Sequence, residues 1–252
     1  MRIIAITGAT GGLAKEIVKQ LPSDDFVIAL GRNVEKLEAC YAERPNTVCY
    51  KLDMSSDEAI GAMVEKLYAE HGHIDVFINN AGYGDFSEFD AYTTAEIRDM
   101  FDINTFATMT FSRLVGHKMK KSGHGHIVNI ASIAGLIASA KSSVYSATKF
   151  AVIGFSNALR LELADSNVYV TTINPGPIAT SFFDKADPSG EYLKSVGRFV
   201  LQPEEVARRT VAILGKNKRE VNMPFSMAVA HKFYTLFPKV ADFLARKVFN
   251  YK

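Results

Sequence analysis

Cysteine is scarce: the 252 residues hold only Cys40 and Cys49, at a spacing that matches neither a CxxC pair nor a metal site. A disulfide scaffold is thereby excluded, and a reducing, cytoplasmic setting is expected. The six histidines show no metal-ligand spacing either. No uninterrupted run of about eighteen apolar residues occurs, so no bilayer-spanning helix is expected. The opening stretch Met1–Gly8 is too short for a signal peptide and is broken by a glycine turn. Internal repeats and low-complexity linkers are missing, and net charge is small at +2. That charge is unevenly spread: from Lys216 to Lys252 eight Lys and Arg face only two acids, Glu220 and Asp242. Such a basic tail meets nucleic acid or anionic lipid in some proteins, but a solvated helix face is the commoner use. No nucleic-acid partner is expected.

What is present suits a packed α/β core: 48% of residues are hydrophobic, 22% charged, with 17 Gly and 8 Pro. Short apolar runs rich in β-branched residues read as strands over Ile3–Thr7, Phe26–Leu30, Thr47–Leu52, Val76–Asn79, His126–Ala131 and Val168–Ile173. Amphipathic stretches between them predict helices over Leu13–Leu21, Val34–Glu43, Asp57–Glu70, Thr94–Lys121 and Ser143–Leu163. This alternation, with strands apolar on both faces, predicts a Rossmann-type doubly wound parallel sheet covered by helices on each side. One domain is expected over residues 1–252, with a substrate-binding segment at about 180–202 and a helical extension from about 224. Ligands of such sheets bind at the carboxyl ends of the strands.

The chemistry-bearing residues fall at those ends. Thr7-Gly8-Ala9-Thr10-Gly11-Gly12-Leu13-Ala14 leaves the first strand and opens the first helix. Glycines in that position let backbone amides and the helix N-terminus approach a pyrophosphate. Tyr145 and Lys149 stand at i and i+4, so they share one helix face. A free tyrosine, with pKa near 10, is a poor base at neutral pH; a nearby ammonium should pull it toward the working range. Ser132, at a strand end beside this helix, is placed to hydrogen-bond a developing alkoxide.

Taken together these segments resemble the short-chain dehydrogenase/reductase family. The glycine turn is similar to that family's, with Ala14 where a third glycine is usual. Asn79-Asn80-Ala81-Gly82, Asn104 within Asp102-Ile103-Asn104, Ser132, Tyr145-Ser-Ala-Thr-Lys149 and Asn174-Pro175-Gly176-Pro177-Ile178-Ala179-Thr180 follow in the family's order. The resemblance covers about the first 215 residues. It implies Tyr145 as general acid/base, with Lys149 tuning it and binding the nicotinamide ribose. Ser132 would orient the carbonyl, and Asn104 would hold a water in a proton relay. It also implies cofactor contacts from Gly8, Thr10, Gly11, Gly12 and Leu13, from Asp53 and Met54 at adenine, and from Asn80, Ala81 and Gly82. Pro175, Gly176, Ile178 and Thr180 would meet the nicotinamide side.

Cofactor choice turns on Leu30-Gly31-Arg32-Asn33. NAD users place an acid there for the ribose hydroxyls; here Gly31 takes that place, and Arg32 and Asn33 follow. A guanidinium attracts a 2′-phosphate, so NADP(H) is expected over NAD(H). Aromatic and aliphatic density at Phe182, Phe183, Tyr192, Leu193, Val196 and Phe199 points to an apolar carbonyl or alcohol substrate, although these residues would serve equally as lid core. An NAD-dependent alcohol dehydrogenase and a catalytically silent NADP(H)-binding regulator are the alternatives. The long helices Thr94–Lys121 and Ser143–Leu163, the second with Ala151, Phe155, Leu159 and Leu163 in a stripe, imply a homodimer or homotetramer unless that stripe faces the sheet. In the extension, Phe233, Phe237, Val240, Leu244 and Val248 recur at helical spacing, with Pro238 expected to kink or divide the helix. Packing of this stripe on the pocket or a neighbouring subunit is favoured over peripheral contact with an anionic membrane.

Overall fold

The computed structural model describes residues 1–188, 190 and 197–248. Strand β1 (Ile3–Thr7) leads through α1 (Gly12–Gln20) to β2 (Phe26–Gly31), α2 (Val34–Tyr41), β3 (Thr47–Lys51), α3 (Asp57–His71) and β4 (Val76–Asn79). Then come α4 (Thr94–Phe101), α5 (Ala107–Ser122), β5 (Gly125–Ile130), α6 (Ser143–Glu162) and β6 (Val168–Pro175). The chain closes with α7 (Phe182–Ala186), α8 (Pro203–Val211), β7 (Glu220–Met223), α9 (Phe225–Leu236) and α10 (Pro238–Val248).

Side-chain alternation builds the layers. In β1, Ile4 and Ile6 join one core with Leu13, Ile17, Val27, Val206 and Leu214, while Ile3 and Ala5 join the other with Ile28, Leu67, Phe77, Phe111 and Leu159. Strands β1, β2, β4, β5 and β6 are largely buried on both faces, which is why they read as apolar runs, whereas the edge strand β3 is only half-buried. The seven strands pair in the order β3-β2-β1-β4-β5-β6-β7, every pair parallel. The order reverses between β1 and β4, and this switch point opens the crevice for a ligand.

Local signals set the helix ends. Ser56 caps α3 by accepting from the Ala59 amide, and Gly72 ends it with φ +78°. Thr93 and Glu96 form a capping box at α4. The structure departs from the sequence reading at two places. The expected helix over Thr94–Lys121 is divided by a π-helical turn at Asp102–Phe106. Strand β7 is a seventh member of the sheet, whose alternating Glu220-Val221-Asn222-Met223 does not stand out as an apolar run. As expected, Pro238 divides the C-terminal extension, standing at the first position of α10 where its missing amide costs nothing.

The two strand ends at the switch point are tied by Thr7, whose buried hydroxyl accepts from the Asn80 and Ala81 amides, both at 3.0 Å. Thr7→Val keeps the shape and orphans both amides. It should lower unfolding free energy by about 1–3 kcal/mol, read as a shift in urea midpoint. An unchanged midpoint would show that this tie does not hold the crevice together.

Candidate active site

A cleft of about 1410 Å³ runs across the carboxyl ends of the strands. One end is the β1–α1 turn. Gly8 has φ +63°, and a Cβ there would lie 2.8 Å from the Ala81 Cα, so the turn requires glycine. Gly11 stands at the N-cap of α1 and offers no side-chain cap to the first-turn amides. Those amides and the helix dipole make an anion site, and the Gly8–Leu13 backbone lines the cleft beside them. The donor chemistry and the volume fit a dinucleotide.

Beyond this turn, Gly31, Arg32, Asn33, Lys36, Asp53 and Met54 line the same cleft. Arg32 is exposed, and among the described residues no hydrogen bond or ion pair engages its side chain. Asp53 feels its charge, but that carboxylate is already held by the Ser55 amide and hydroxyl, and these bonds keep its pKa low. The Asn33 side chain is committed to capping α2, accepting from the Lys36 amide at 2.7 Å. Lys36, which the sequence reading passed over, adds a second cation at this end; its place one turn after Asn33 was the available signal. Asn80 also works within the protein, donating to the Thr7 and Gly8 carbonyls.

The middle of the cleft holds the reactive side chains. Tyr145 and Lys149 project from α6, and Ser132 stands after β5. Ser132 accepts from the Ala134 amide at 3.0 Å and donates to the Pro175 carbonyl at 3.3 Å. Lys149 is 5% exposed, and its ammonium donates to the Ile130 carbonyl at 3.1 Å. Burial without a carboxylate beside it lowers its pKa to about 8. The Lys149 ammonium lies 5.8 Å from the centroid of the Tyr145 ring.

Here one expectation is corrected. The ammonium was expected to lower the Tyr145 pKa, yet burial raises it to about 12, opposed only by the hydrogen bond with Ser132. Desolvation of a phenolate outweighs a charge that faces the ring and a carbonyl rather than the hydroxyl.

Asn104 sits in the π turn, a distortion found often at functional sites. Its Oδ1 accepts from the Tyr83 amide at 2.9 Å, and its Nδ2 donates to the Tyr83 carbonyl at 2.8 Å and to Thr148 Oγ1 at 3.2 Å. The side chain thus clamps the loop after β4, where Ala81 and Gly82 line the cleft, onto α6. A buried chain of amides and hydroxyls fixes α6 from below. Asn79 donates to Ser112 and to Asn129, and Asn129 donates to Ser156 at 2.8 Å.

Pro175, Gly176, Ile178 and Thr180 line the opposite wall. Above Tyr145 the cleft is roofed by aromatic rings: Phe86 at 5.6 Å and Phe182 at 5.9 Å between centroids, with Phe183 against both. Phe199 also lines it, whereas Tyr192, Leu193 and Val196 lie outside the described residues. Met227, Ala230, Phe233 and Tyr234 of α9 complete the mouth. Phe233 belongs to the stripe named from the sequence and lines the cleft, whereas Phe86, Met227, Ala230 and Tyr234 were not singled out, because nothing local marks a side chain that reaches the site across the fold.

Residues 2–190 match the family model for short chain dehydrogenase. The 3-ketodihydrosphingosine reductase of Bacteroides thetaiotaomicron is 30% identical, the match covering 99% of this chain and 96% of that protein. Retinol dehydrogenase 8 of Bos taurus is 28% identical, over 92% of this chain and 85% of its own. A serine dehydrogenase solved in its closed form with NADP+ superposes with a TM-score of 0.81 at 32% identity, over 89% of this chain and 95% of that one. The glycine turn, the Ser132–Tyr145–Lys149 cluster and the parallel sheet agree with these matches: the chain belongs to the short-chain dehydrogenase/reductase family, oxidoreductases that use a nicotinamide dinucleotide.

Proposed function

We propose that this chain interconverts a carbonyl and an alcohol on an apolar small molecule with NADP(H), Tyr145 serving as general acid/base. The observation that carries this reading is the buried cluster of Tyr145, Ser132 and Lys149 under an aromatic roof, with an anion site at the other end of the cleft. A dinucleotide held by the Gly8–Leu13 turn, Arg32 and Lys149 would supply the hydride chemistry. Tyr145, kept neutral by burial at a pKa of about 12, is a proton donor across the ordinary pH range, as carbonyl reduction needs. Ser132 hydrogen-bonds the substrate oxygen as charge grows on it. Lys149 binds the nicotinamide ribose and stabilises the phenolate left when the proton departs. Asn104 contributes by position, holding the loop after β4 against α6.

NADP(H) is preferred in this reading because Arg32 and Lys36 flank a strand end that carries Gly31 instead of an acid. The bound NADP+ of the related serine dehydrogenase supports the same choice. The ring-lined roof favours an apolar substrate, and two relatives are named for retinol and 3-ketodihydrosphingosine, a lipid-like alcohol and ketone.

A homo-oligomer built on α4–α6 belongs to the same proposal, but not through the stripe named from the sequence. Leu159 and Leu163 are buried against the sheet with Phe155 packed beside them; the outward apolar residues are Phe106, Phe150 and Leu161. Light scattering should give a multiple of the 27.7 kDa monomer mass, and a monomer at micromolar concentration would reject this assembly.

Tyr145→Phe should leave NADPH affinity nearly intact and cut turnover of a ketone panel at least about a hundredfold, followed by NADPH absorbance. Near-normal turnover in the folded variant would remove Tyr145 from the mechanism. For the free wild-type enzyme, NADPH affinity should hold below the Lys149 pKa of about 8 and weaken as pH rises through it, because the anionic ligand favours the charged ammonium.

At Gly31 an added Cβ would make ordinary van der Waals contact with Leu37, its three nearest atoms all lying on that side chain and the closest at 3.4 Å, so Gly31→Asp is a practicable variant. Combined with Arg32→Ala it should weaken NADPH binding about ten- to a hundredfold and shift preference to NADH. Direct titration showing that the wild type prefers NADH would defeat the assignment.

A further inference from the structure

Of the C-terminal apolar stripe, Phe233 lines the cleft while Phe237 and Val240 are exposed, and the side chains of Leu244 and Val248 lie outside those described. Helix α9 is apolar on two opposite sides. Its inner side carries Met227, Ala230 and Tyr234 into the mouth of the cleft and is held by His231, whose Nδ1 lies 3.3 Å from the Leu136 carbonyl. Its outer side presents Phe225, Val229 and Leu236, at 80%, 53% and 71% exposure. These three recur at i, i+4 and i+11, with Lys232 at i+7, and so form one strip along the helix. Phe237 and Val240 continue it across the elbow into α10 and are also exposed. Lys232 is the only Lys, Arg, Asp or Glu of α9. A helix with two apolar sides, one of them open to solvent, needs a second apolar surface to cover it.

Charge decides between occupants. From Phe225 to Lys252 the sequence carries five Lys and Arg against one acid, Asp242, and Asp242 lines the cleft. Symmetric pairing of two copies would bring these cations against each other. An anionic bilayer meets both features at once: headgroups neutralise the lysines while the outer side chains enter the acyl boundary. Among the described residues no helix is long and apolar enough to cross a membrane, so contact is confined to the surface.

We propose that the outer face of α9 and the start of α10 docks on an anionic lipid surface, with the mouth of the cleft beside the bilayer. Since α9 forms both the docking face and part of the mouth, an apolar substrate dissolved in the bilayer reaches Tyr145 without crossing water. That delivery rests on the carbonyl-reductase reading; the docking does not.

The test is flotation of the full chain with vesicles of phosphatidylcholine and phosphatidylglycerol in equal parts, against phosphatidylcholine alone. Wild type should float with the mixed vesicles only, and raising the salt should release it. Phe225→Asp with Leu236→Asp should cut binding at least about tenfold, with NADPH binding and melting temperature retained, since neither side chain lines the cleft. Should that pair fail to fold, Lys232→Glu with Lys239→Glu gives the same readout through charge. Failure of the wild type to float, or flotation undiminished in the folded variants, overturns the proposal. So does a wild-type dimer that the Asp pair converts to monomer, which would make the face a contact between copies. Because flotation needs no turnover, an inactive enzyme that floats would count against the catalytic reading and leave docking intact.

Discussion

A lysine ammonium held inside the protein is the constraint around which this molecule is organised. Among the described residues Lys149 donates one hydrogen bond, to a backbone carbonyl, and no carboxylate pairs with it. Desolvating a charge in this way is costly, and only a rigid surround keeps it there. The surround is visible. Asn129 and Ser156 tie α6 to the sheet, and Asn104 ties it to the loop after β4. The turn after Ser132 comes so close that a Cβ on Gly135 would stand 2.7 Å from the Lys149 backbone. Stability has been given up at this point for a cation aimed into a cleft.

The same geometry explains why the phenol beside it is neutral. In the free protein the charges that would lower the Tyr145 pKa are either turned away or not present, so burial dominates. A neutral tyrosine is suited to giving a proton, and a lysine whose pKa has dropped to about 8 responds to an anionic ligand by becoming fully charged. Acid and cation are thus set apart by environment, although the sequence places them one helical turn from each other.

The cleft joins two surfaces of different character. Toward α1 and α2 it is built from backbone amides, Arg32 and Lys36, a lining for phosphate; toward α7 and α9 it is built from Phe86, Phe182, Phe183, Met227 and Phe233. Such a division lets one crevice hold a charged dinucleotide and an apolar partner end to end. The apolar end continues onto the outside of the protein along α9, where solvent-facing Phe225 and Leu236 stand a helix width away from the lining residues.

Most of the sheet was legible in the sequence because its inner strands are buried on both faces, so each reads as an apolar run without reference to its neighbours. The glycine turn and the Tyr145–Lys149 pair were legible for a related reason: both act through contacts one helical turn apart or less. Tertiary structure decided what depends on distant contacts. The π turn at Asp102–Phe106 exists to point Asn104 at Tyr83 and Thr148, and no local pattern encodes it. The direction of the Tyr145 shift follows from how deeply α6 is buried, which its own residues do not state. The α6 stripe was known to be apolar, but only packing shows that Leu159 and Leu163 face the sheet. For α9 a single stripe through Phe233 was named from the sequence, and only the fold shows that the helix has two apolar sides, which of them closes the cleft and which is left to face outward.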